Sequence, residues 1–151
     1  MLPVEKILNQ NSIPYRIIEL LNRALTVQDV IKNSKGDITL NEICKTIIVK
    51  SEKGKSYAFF LYGNDRVDFE KTKLVTGENV RMAKPSEVKE LAGVEPGAVC
   101  PILLNIPVII DTKIINFNKV NFGSGHHLYG LELLTKDFLK LVNPKIADIS
   151  K

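Results

Sequence analysis

The sequence predicts an α+β domain built on a mixed β-sheet. Candidate helices and strands are interleaved along the chain, but they lack the regular βαβ repeat of a parallel α/β fold. The chain has 151 residues, of which 44% are hydrophobic and 25% charged, a composition typical of one soluble globular domain. Because no internal repeat or long linker interrupts it, we expect a single domain over residues 1–151.

The first part of the chain contains a helix, a strand and a second short helix. Pro3 suits a first helical turn, and apolar residues at i, i+3 and i+4 predict a helix that ends near residues 9–11. The run Ile13–Glu19 predicts a strand, and Pro14 places it at or near a sheet edge. Thr26 is a plausible N-cap for a helix through Ile31, which residues 33–37 interrupt.

The middle of the chain predicts a hairpin and two further helices. Two β-rich runs, Ile43–Lys50 and Ser56–Tyr62, are joined by a glycine-containing loop of hairpin length. A short helix should end at Gly77, and a short strand should follow at residues 80–83. Pro85 should open another helix that ends at Gly93, with Val88 and Leu91 on its inner face.

The last part of the chain predicts three strands and a closing helix. The strands are expected over residues 107–111, around Val120 and Phe122, and over residues 128–134. Thr135 is expected to cap the helix, which Asn143-Pro144 should end.

Charge and cysteine content narrow the possible classes of protein. The net charge is +4, with 21 basic and 17 acidic residues, which permits binding to a polyanion without establishing it. There is no apolar run of membrane-spanning length and no signal-peptide pattern, so we expect a cytoplasmic protein without membrane attachment. Cys44 and Cys100 are expected to be small buried residues, and the absence of ligand spacing argues against a metal site.

Lys45 interrupts an apolar strand face. Alternate strand residues share a face, so Lys45 should lie between Ile43, Ile47 and Val49. An unpaired buried ammonium is costly, and the side chain must therefore reach solvent, find a partner or line a pocket. Both a solvated strand-end lysine and a cation that meets a phosphate or carboxylate fit the pattern.

Two glycine-containing segments could present backbone N–H groups to a ligand. The segment over residues 93–101 holds two glycines and two prolines, so it forms either a rigid binding loop or a connector. Gly123-Ser124-Gly125 is either a tight turn or a donor of N–H groups to an anion or carbonyl oxygen. His126 and His127 follow directly, and if residues 128–134 form a strand, at most one histidine should enter a given pocket.

A covalent mechanism finds little support in the sequence. Cys44 and Lys45 point to opposite sides of a strand, so the lysine should not activate the thiol. Ser124 has no recognisable base and orienting acid. A hydrolase built from these residues would position water and stabilise an oxyanion.

Taken together, the segments resemble the YbaK/ProX family, the editing-domain superfamily that includes the insertion domain of bacterial prolyl-tRNA synthetases. The matching pieces, in order, are residues 44–49, the GxxxP segment Gly97–Pro101, and Gly123–Gly125 followed by residues 131–133. The opening helix and strand and the closing helix with Ala147-Asp148-Ile149 also match, so the resemblance covers nearly the whole chain.

The resemblance implies a mixed, barrel-like β-sheet surrounded by helices, and hydrolysis of the aminoacyl ester of mischarged tRNA(Pro) without a metal or organic cofactor. Lys45 matches the essential lysine of the family, which would hold the 3′-terminal adenosine region. The remaining expected substrate-binding residues shape the amino-acid pocket or lie beside the ester: Gly97, Ala98, Val99, Cys100, Pro101, Gly123, Ser124, Gly125, His126 and His127.

The segment after the glycine turn varies among subfamilies, and a histidine there resembles the alanine-editing members more than the cysteine-specific ones. We therefore expect a trans-acting deacylase that removes alanine rather than cysteine from tRNA(Pro) and that either binds tRNA weakly or shares the tRNA with prolyl-tRNA synthetase as a partner. Two other classes stay open: a non-catalytic module that binds charged tRNA 3′ ends or adenosine nucleotides, and a protein-interaction domain.

Overall fold

The computed structural model describes residues 1–20 and 42–151, and their elements confirm the α+β class. The helices are α1 (Pro3–Gln10), α2 (Phe69–Thr76), α3 (Pro85–Ala92) and α4 (Thr135–Val142). The strands are β1 (Arg16–Glu19), β2 (Cys44–Ser51), β3 (Ser56–Tyr62), β4 (Val80–Met82), β5 (Val108–Asp111), β6 (Lys119–His126), β7 (Tyr129–Leu134) and β8 (Lys145–Ala147). Short 3-10 turns occupy Pro96–Ala98, Pro101–Leu103 and Thr112–Asn116.

The described strands form two sheets. The five-stranded sheet has the order β4-β2-β3-β5-β8 and is mixed, because β2 pairs antiparallel with β3 and β4 while β5 pairs parallel with β3 and β8. The three-stranded antiparallel sheet has the order β1-β7-β6. An isolated parallel bridge between Ile43 and Asn121 joins them. Since this junction is a single bridge rather than a continued ladder, the described strands do not close the barrel that the resemblance led us to expect.

The main core lies where the two sheets face each other. The aromatic rings of Phe60, Phe122 and Phe138 meet there. The ring centroid of Phe60 lies 5.4 Å from that of Phe122 and 4.6 Å from that of Phe138, and the last two are 4.7 Å apart. Cys44 belongs to this cluster, whereas Val49 and its neighbours pack in a separate cluster on the other face of the five-stranded sheet. Strand β2 is therefore covered on both faces, which explains its almost continuous apolar sequence.

Local sequence patterns predicted most element bounds. Helix α1 begins at Pro3, helices α2 and α3 are followed by left-handed C-cap residues Gly77 and Gly93, and β1 is a sheet edge that begins after Pro14. The helix predicted after Thr26 lies outside the described residues. Burial of Val88 also agrees with the predicted inner face of α3.

Three details of the prediction were wrong. Leu91 is 38% exposed, because the short helix α3 buries only the stripe that contains Val88. Thr135 does not cap α4: it is the first helical residue, after Leu134 as N-cap, and its buried hydroxyl has no partner within the described residues. Ala147 was expected in the closing helix, but that helix ends at Val142 and Ala147 is the last residue of strand β8. Strand β8 has three residues, too few to show a strand period in the sequence.

Candidate functional site

A pocket opens where β6 and β7 approach the start of β2. It encloses about 480 Å³, counting its open mouth. Ile18, Ile43 and Leu131 supply apolar wall, and the glycines at 97, 123 and 130 leave the backbone close to the space. Two of the segments that the sequence singled out, the GxxxP loop and the glycine turn, therefore meet at one cavity.

Gly123 lets the GxxxP loop lie directly against β6. A Cβ atom at Gly123 would stand 2.5 Å from the carbonyl oxygen of Val99 and 2.8 Å from the carbonyl carbon of Ala98. No side chain fits at that distance, so the loop has this position only while residue 123 is glycine. Of the loop residues, Gly97 reaches the pocket wall.

The other residues of the GxxxP loop anchor it in the core. Ala98, Val99, Cys100 and Pro101 are all buried, and Val99 packs with Ile48 and Val88. These four side chains do not line the pocket. Their burial holds the backbone that carries Gly97, so the loop serves as connector and pocket wall together.

Ser124 and Gly125 lie in the irregular end of strand β6 and not in the tight turn that the sequence also allowed, because the turn between β6 and β7 is formed by residues 127 and 128. Ser124 is fully buried, and its Oγ donates to the Tyr129 carbonyl oxygen at 2.6 Å and accepts from the His126 N–H at 3.3 Å. Gly125 has a φ of +92°, and a Cβ there would stand 2.9 Å from Leu103 Cδ1. The Ser124 hydroxyl is thus occupied by the backbone of its own hairpin and is not presented to the cavity.

Both histidines line the pocket, although strand alternation predicted at most one. The reason is an irregularity in the β6–β7 pairing between Gly123 and His126, after which His127 lies in the turn rather than in a strand. The two rings stack with centroids 4.8 Å apart and an interplanar angle of 13°. The ring centroid of His126 also lies 5.0 Å from that of Tyr129. The three rings together form an aromatic cluster at the pocket mouth.

His126 has a defined hydrogen-bonding role. Its Nδ1 accepts from the Leu128 N–H at 3.1 Å, so the neutral ring carries its proton on Nε2. That atom is therefore a donor in the neutral state, suited to a carbonyl oxygen or oxyanion rather than to abstraction of a proton.

Lys45 lies just outside the pocket. Ile43 and Cys44 belong to its lining, but Lys45 does not; it pairs with Leu61 in the β2–β3 ladder. The side chain is partly buried and has no hydrogen bond or ion pair within the described residues. Burial lowers the pKa of Lys45, Asp65 opposes that change and Arg66 adds to it. Lys45 is thus a partly desolvated cation, unpaired within the described residues, that lies beside the cavity and not in it.

The environment of both thiols opposes their ionisation. Cys44 and Cys100 are both free and buried, and burial raises the pKa of each, to about 12 for Cys100.

Within residues 1–20 and 42–151 no group of histidine, cysteine, aspartate and glutamate side chains could hold a metal ion. No helix of those same ranges is long and apolar enough to cross a membrane.

Asn121 is a pocket residue that the sequence reasoning missed. It is 2% exposed and lines the pocket, yet neither Nδ2 nor Oδ1 has a hydrogen-bond partner within the described residues. The sequence did carry a signal, because Asn121 stands alone between Val120 and Phe122 in a β-rich run. The signal is weaker than that of Lys45, because Asn121 shares its strand face with Lys119 and Gly123 and not with apolar residues.

Comparison with known proteins places this geometry in a family. Residues 22–141 match the aminoacyl-tRNA editing domain. The uncharacterized protein YwhH of Bacillus subtilis is 28% identical over 117 residues, which cover 76% of this chain and 74% of that protein.

Two solved structures share the fold over nearly the full length of each chain. The hypothetical protein APE2540 is 27% identical with a TM-score of 0.87, and the match covers 98% of this chain and 99% of that one. A candidate trans-editing enzyme for prolyl-tRNA synthetase is 25% identical with a TM-score of 0.80, covering 98% and 94%. The family match spans well over half of the sequence and the fold agrees with it, so this chain belongs to the aminoacyl-tRNA editing domain family.

Proposed function

We propose that this chain is a trans-acting deacylase that hydrolyses the ester of mischarged tRNA(Pro), with alanine preferred to cysteine. The observation that carries the proposal is the pocket at the sheet junction, where Gly97, Gly123 and His126 converge. Its position in an editing-domain chain favours an aminoacyl ester as the ligand. The similarity to a candidate trans-editing enzyme for prolyl-tRNA synthetase supports tRNA(Pro) as the carrier and that synthetase as a partner.

Water is the nucleophile in this proposal. The two thiols are buried with raised pKa values, and the Ser124 hydroxyl is engaged by the Tyr129 carbonyl. The oxygen of water adds to the ester carbonyl carbon, the bond to the ribose oxygen breaks, and the ribose oxygen takes up a proton. The attacking water gives up that proton, and a neighbouring ribose hydroxyl of the tRNA relays it, because the Nδ1 of His126 already accepts from the Leu128 N–H and is not free to act as a base.

Oxyanion stabilisation is the main contribution of the protein to this reaction. The N–H groups of the glycine segments and the Nε2–H of His126 are candidate donors to the developing negative charge. Removing one such donor typically slows an acyl-transfer enzyme by about 10²–10³-fold. Gly123 contributes by allowing the loop and the strand to approach each other.

Lys45 serves as the anchor for the tRNA 3′ end. A partly desolvated cation without a partner among the described residues suits an incoming phosphate, because the pair forms where screening by water is reduced. This role explains a lysine outside the amino-acid pocket, and it assigns Lys45 to binding rather than to proton transfer.

The preference for alanine rests on the histidines and on the small space at the glycines. Cysteine differs from alanine by one sulfur atom, and a pocket discriminates such a small change only modestly. We therefore expect a preference of about tenfold rather than an absolute one.

Deacylation assays with three charged forms of tRNA(Pro) test the proposal. Wild type, Lys45→Ala and the matched control Lys53→Ala, which removes an exposed lysine from the same hairpin, are incubated with alanyl-, cysteinyl- and prolyl-tRNA(Pro). We expect wild type and Lys53→Ala to release alanine fastest and spare proline, and Lys45→Ala to lose at least tenfold. If wild type binds these tRNAs but leaves every ester intact, the chain is a binding module and the proposal is wrong.

A further inference from the structure

We infer that Asn121 is a specificity residue that recognises the aminoacyl group itself, with Oδ1 accepting from the α-ammonium and Nδ2 donating to the ester carbonyl oxygen. The inference rests on the proposed function, because it assigns part of the same substrate. It starts from Asn121, a residue of the pocket lining whose side-chain donor and acceptor both lack a full hydrogen bond in the described part of the chain.

Buried polar side chains are almost always hydrogen-bonded, so an unpartnered pair of atoms needs an explanation. Other buried side chains with an unpartnered atom occur in the described residues at Thr46, Glu78 and Thr135, but none of these lines the pocket. Asn121 thus combines two independent properties, an unmet hydrogen-bonding need and a position where a ligand can meet it.

The neighbours of Asn121 are already committed to each other. Glu132 lies opposite Asn121 in the β6–β7 register, and its two carboxylate oxygens accept from Arg16 at 3.1 Å and 2.8 Å. A weak side-chain hydrogen bond from Asn121 makes the smallest of the contributions that lower the pKa of Glu132, and it does not reach the geometry of a full hydrogen bond within the described residues. Asn121 therefore lies beside an ion pair that is already satisfied, and neither of its buried polar atoms has a full hydrogen bond within the described residues.

The chemistry of a carboxamide fits the head of an aminoacyl ester. That head carries a donor, the α-ammonium, next to an acceptor, the carbonyl oxygen, and a carboxamide presents one acceptor and one donor side by side. Hydrogen bonds to a charged group are stronger than neutral ones. The contact with the ammonium would hold the substrate, and the contact with the carbonyl would polarise the reacting bond.

Two groups of the charged tRNA end could contact Asn121, because the adenine base also offers a donor beside an acceptor. The depth of Asn121 in the pocket favours the aminoacyl head. His127 at the mouth is exposed, whereas Asn121 is 2% exposed. The amino acid is the terminal group of a charged tRNA, so it is the part that reaches the most buried region. The stacked histidine rings at the mouth are better placed to receive a flat base.

The test compares alanyl-tRNA(Pro) with N-acetylalanyl-tRNA(Pro), whose α-nitrogen is uncharged. Each rate is divided by the uncatalysed hydrolysis rate of the same ester. The enzymes are wild type, Asn121→Leu, Asn121→Ala and the control Thr135→Val, which removes another buried unpartnered group away from the pocket. The ratio of the two rates within one enzyme does not depend on how much of that enzyme is folded.

We expect wild type and Thr135→Val to favour the free α-amino substrate by at least tenfold, and both Asn121 variants to lose that preference. Thermal unfolding adds a second readout. Leucine has the same branched shape as asparagine but no polar atoms to leave unpartnered, so the Tm of Asn121→Leu should lie between that of wild type and about 2–4 °C above it. A preference retained by both Asn121 variants would overturn the inference while leaving the proposed deacylase intact.

A binding measurement separates failure of this inference from failure of the proposed function. The probe is adenosine that carries alanine on its 3′ carbon through an amide, which cannot be hydrolysed as an ester. If wild type deacylates nothing but binds this probe at least tenfold more tightly than Asn121→Leu, the recognition role stands and the deacylase proposal falls. Equal binding by both proteins would overturn the recognition role.

Discussion

At the scale of single residues, Lys45 shows how burial changes the chemistry of a charged group. Its ammonium lies partly buried on an apolar strand face, where the loss of water makes the charged form less favourable. Asp65 partly offsets this, but Asp65 itself forms an ion pair with Lys113 at 2.5 Å. Two lysines near one carboxylate therefore shift in opposite directions, because Lys113 has the direct partner and Lys45 does not.

This difference predicts the order in which the lysines titrate. The lowered pKa of Lys45 means that, as the pH rises, it loses its proton before an ordinary lysine with a pKa of 10.5. The hydrogen bond with Asp65 raises the pKa of Lys113, which should therefore titrate at a higher pH than Lys45. Between the lowered pKa and 10.5 the unfolded chain binds more protons at Lys45, so this group makes the folded state more stable as pH rises.

NMR titration of the lysine side chains checks the order, with Lys45→Arg and Lys113→Arg used for assignment. Asp65→Asn should lower the pKa of both lysines, since it removes an interaction that raises each. A pKa of Lys45 at or above that of Lys113 would contradict the burial that we describe for its side chain.

At the scale of secondary-structure elements, the site depends on how closely the GxxxP loop approaches β6. Gly123 is the contact point, and the carbonyl oxygen of Val99 occupies the space of a side chain there. The position of Gly97 in the pocket wall follows from this contact, because Ala98 and Val99 are buried against the rest of the core.

Gly123→Ala should therefore lower both the stability and the activity of the protein. The added methyl must push the loop away, at a cost of about 1–3 kcal/mol for overpacking, and the displaced Gly97 should reduce deacylation by at least tenfold. Gly77→Ala is the control: residue 77 has a φ of +76°, and no atom lies within 4 Å of the position that a Cβ would take there, so alanine strains only a helix end, at about 1 kcal/mol. Urea unfolding and deacylation rates are measured on both, and equal activity in Gly123→Ala and wild type would show that the loop position does not matter.

At the scale of the whole molecule, sequence periodicity predicted the local elements but not how they assemble. Proline and glycine signals act on neighbouring residues, which is why the bounds of α1 and α3 agree with the prediction. The bridge between Ile43 and Asn121 joins residues far apart in the chain, and no local pattern encodes it. The pocket, the entry of both histidines and the position of Asn121 in the pocket lining all depend on that assembly, so the local sequence pattern could not predict them.

A ligand that fills a pocket at a sheet junction should stabilise both sheets at once. The pocket takes lining residues from the start of β2 and from β6 and β7, so bound ligand connects the five-stranded sheet to the three-stranded one. With the 3′-amide-linked alanyl adenosine at 100 times its Kd, the free energy of unfolding should rise by about 2.7 kcal/mol. Hydrogen exchange should slow in β2 and β6 together, whereas adenosine alone, lacking the aminoacyl head, should protect them less. Protection from hydrogen exchange confined to β6 and β7 would mean that the ligand lies on the three-stranded sheet alone. The junction would then be a contact between the two sheets and not the binding site.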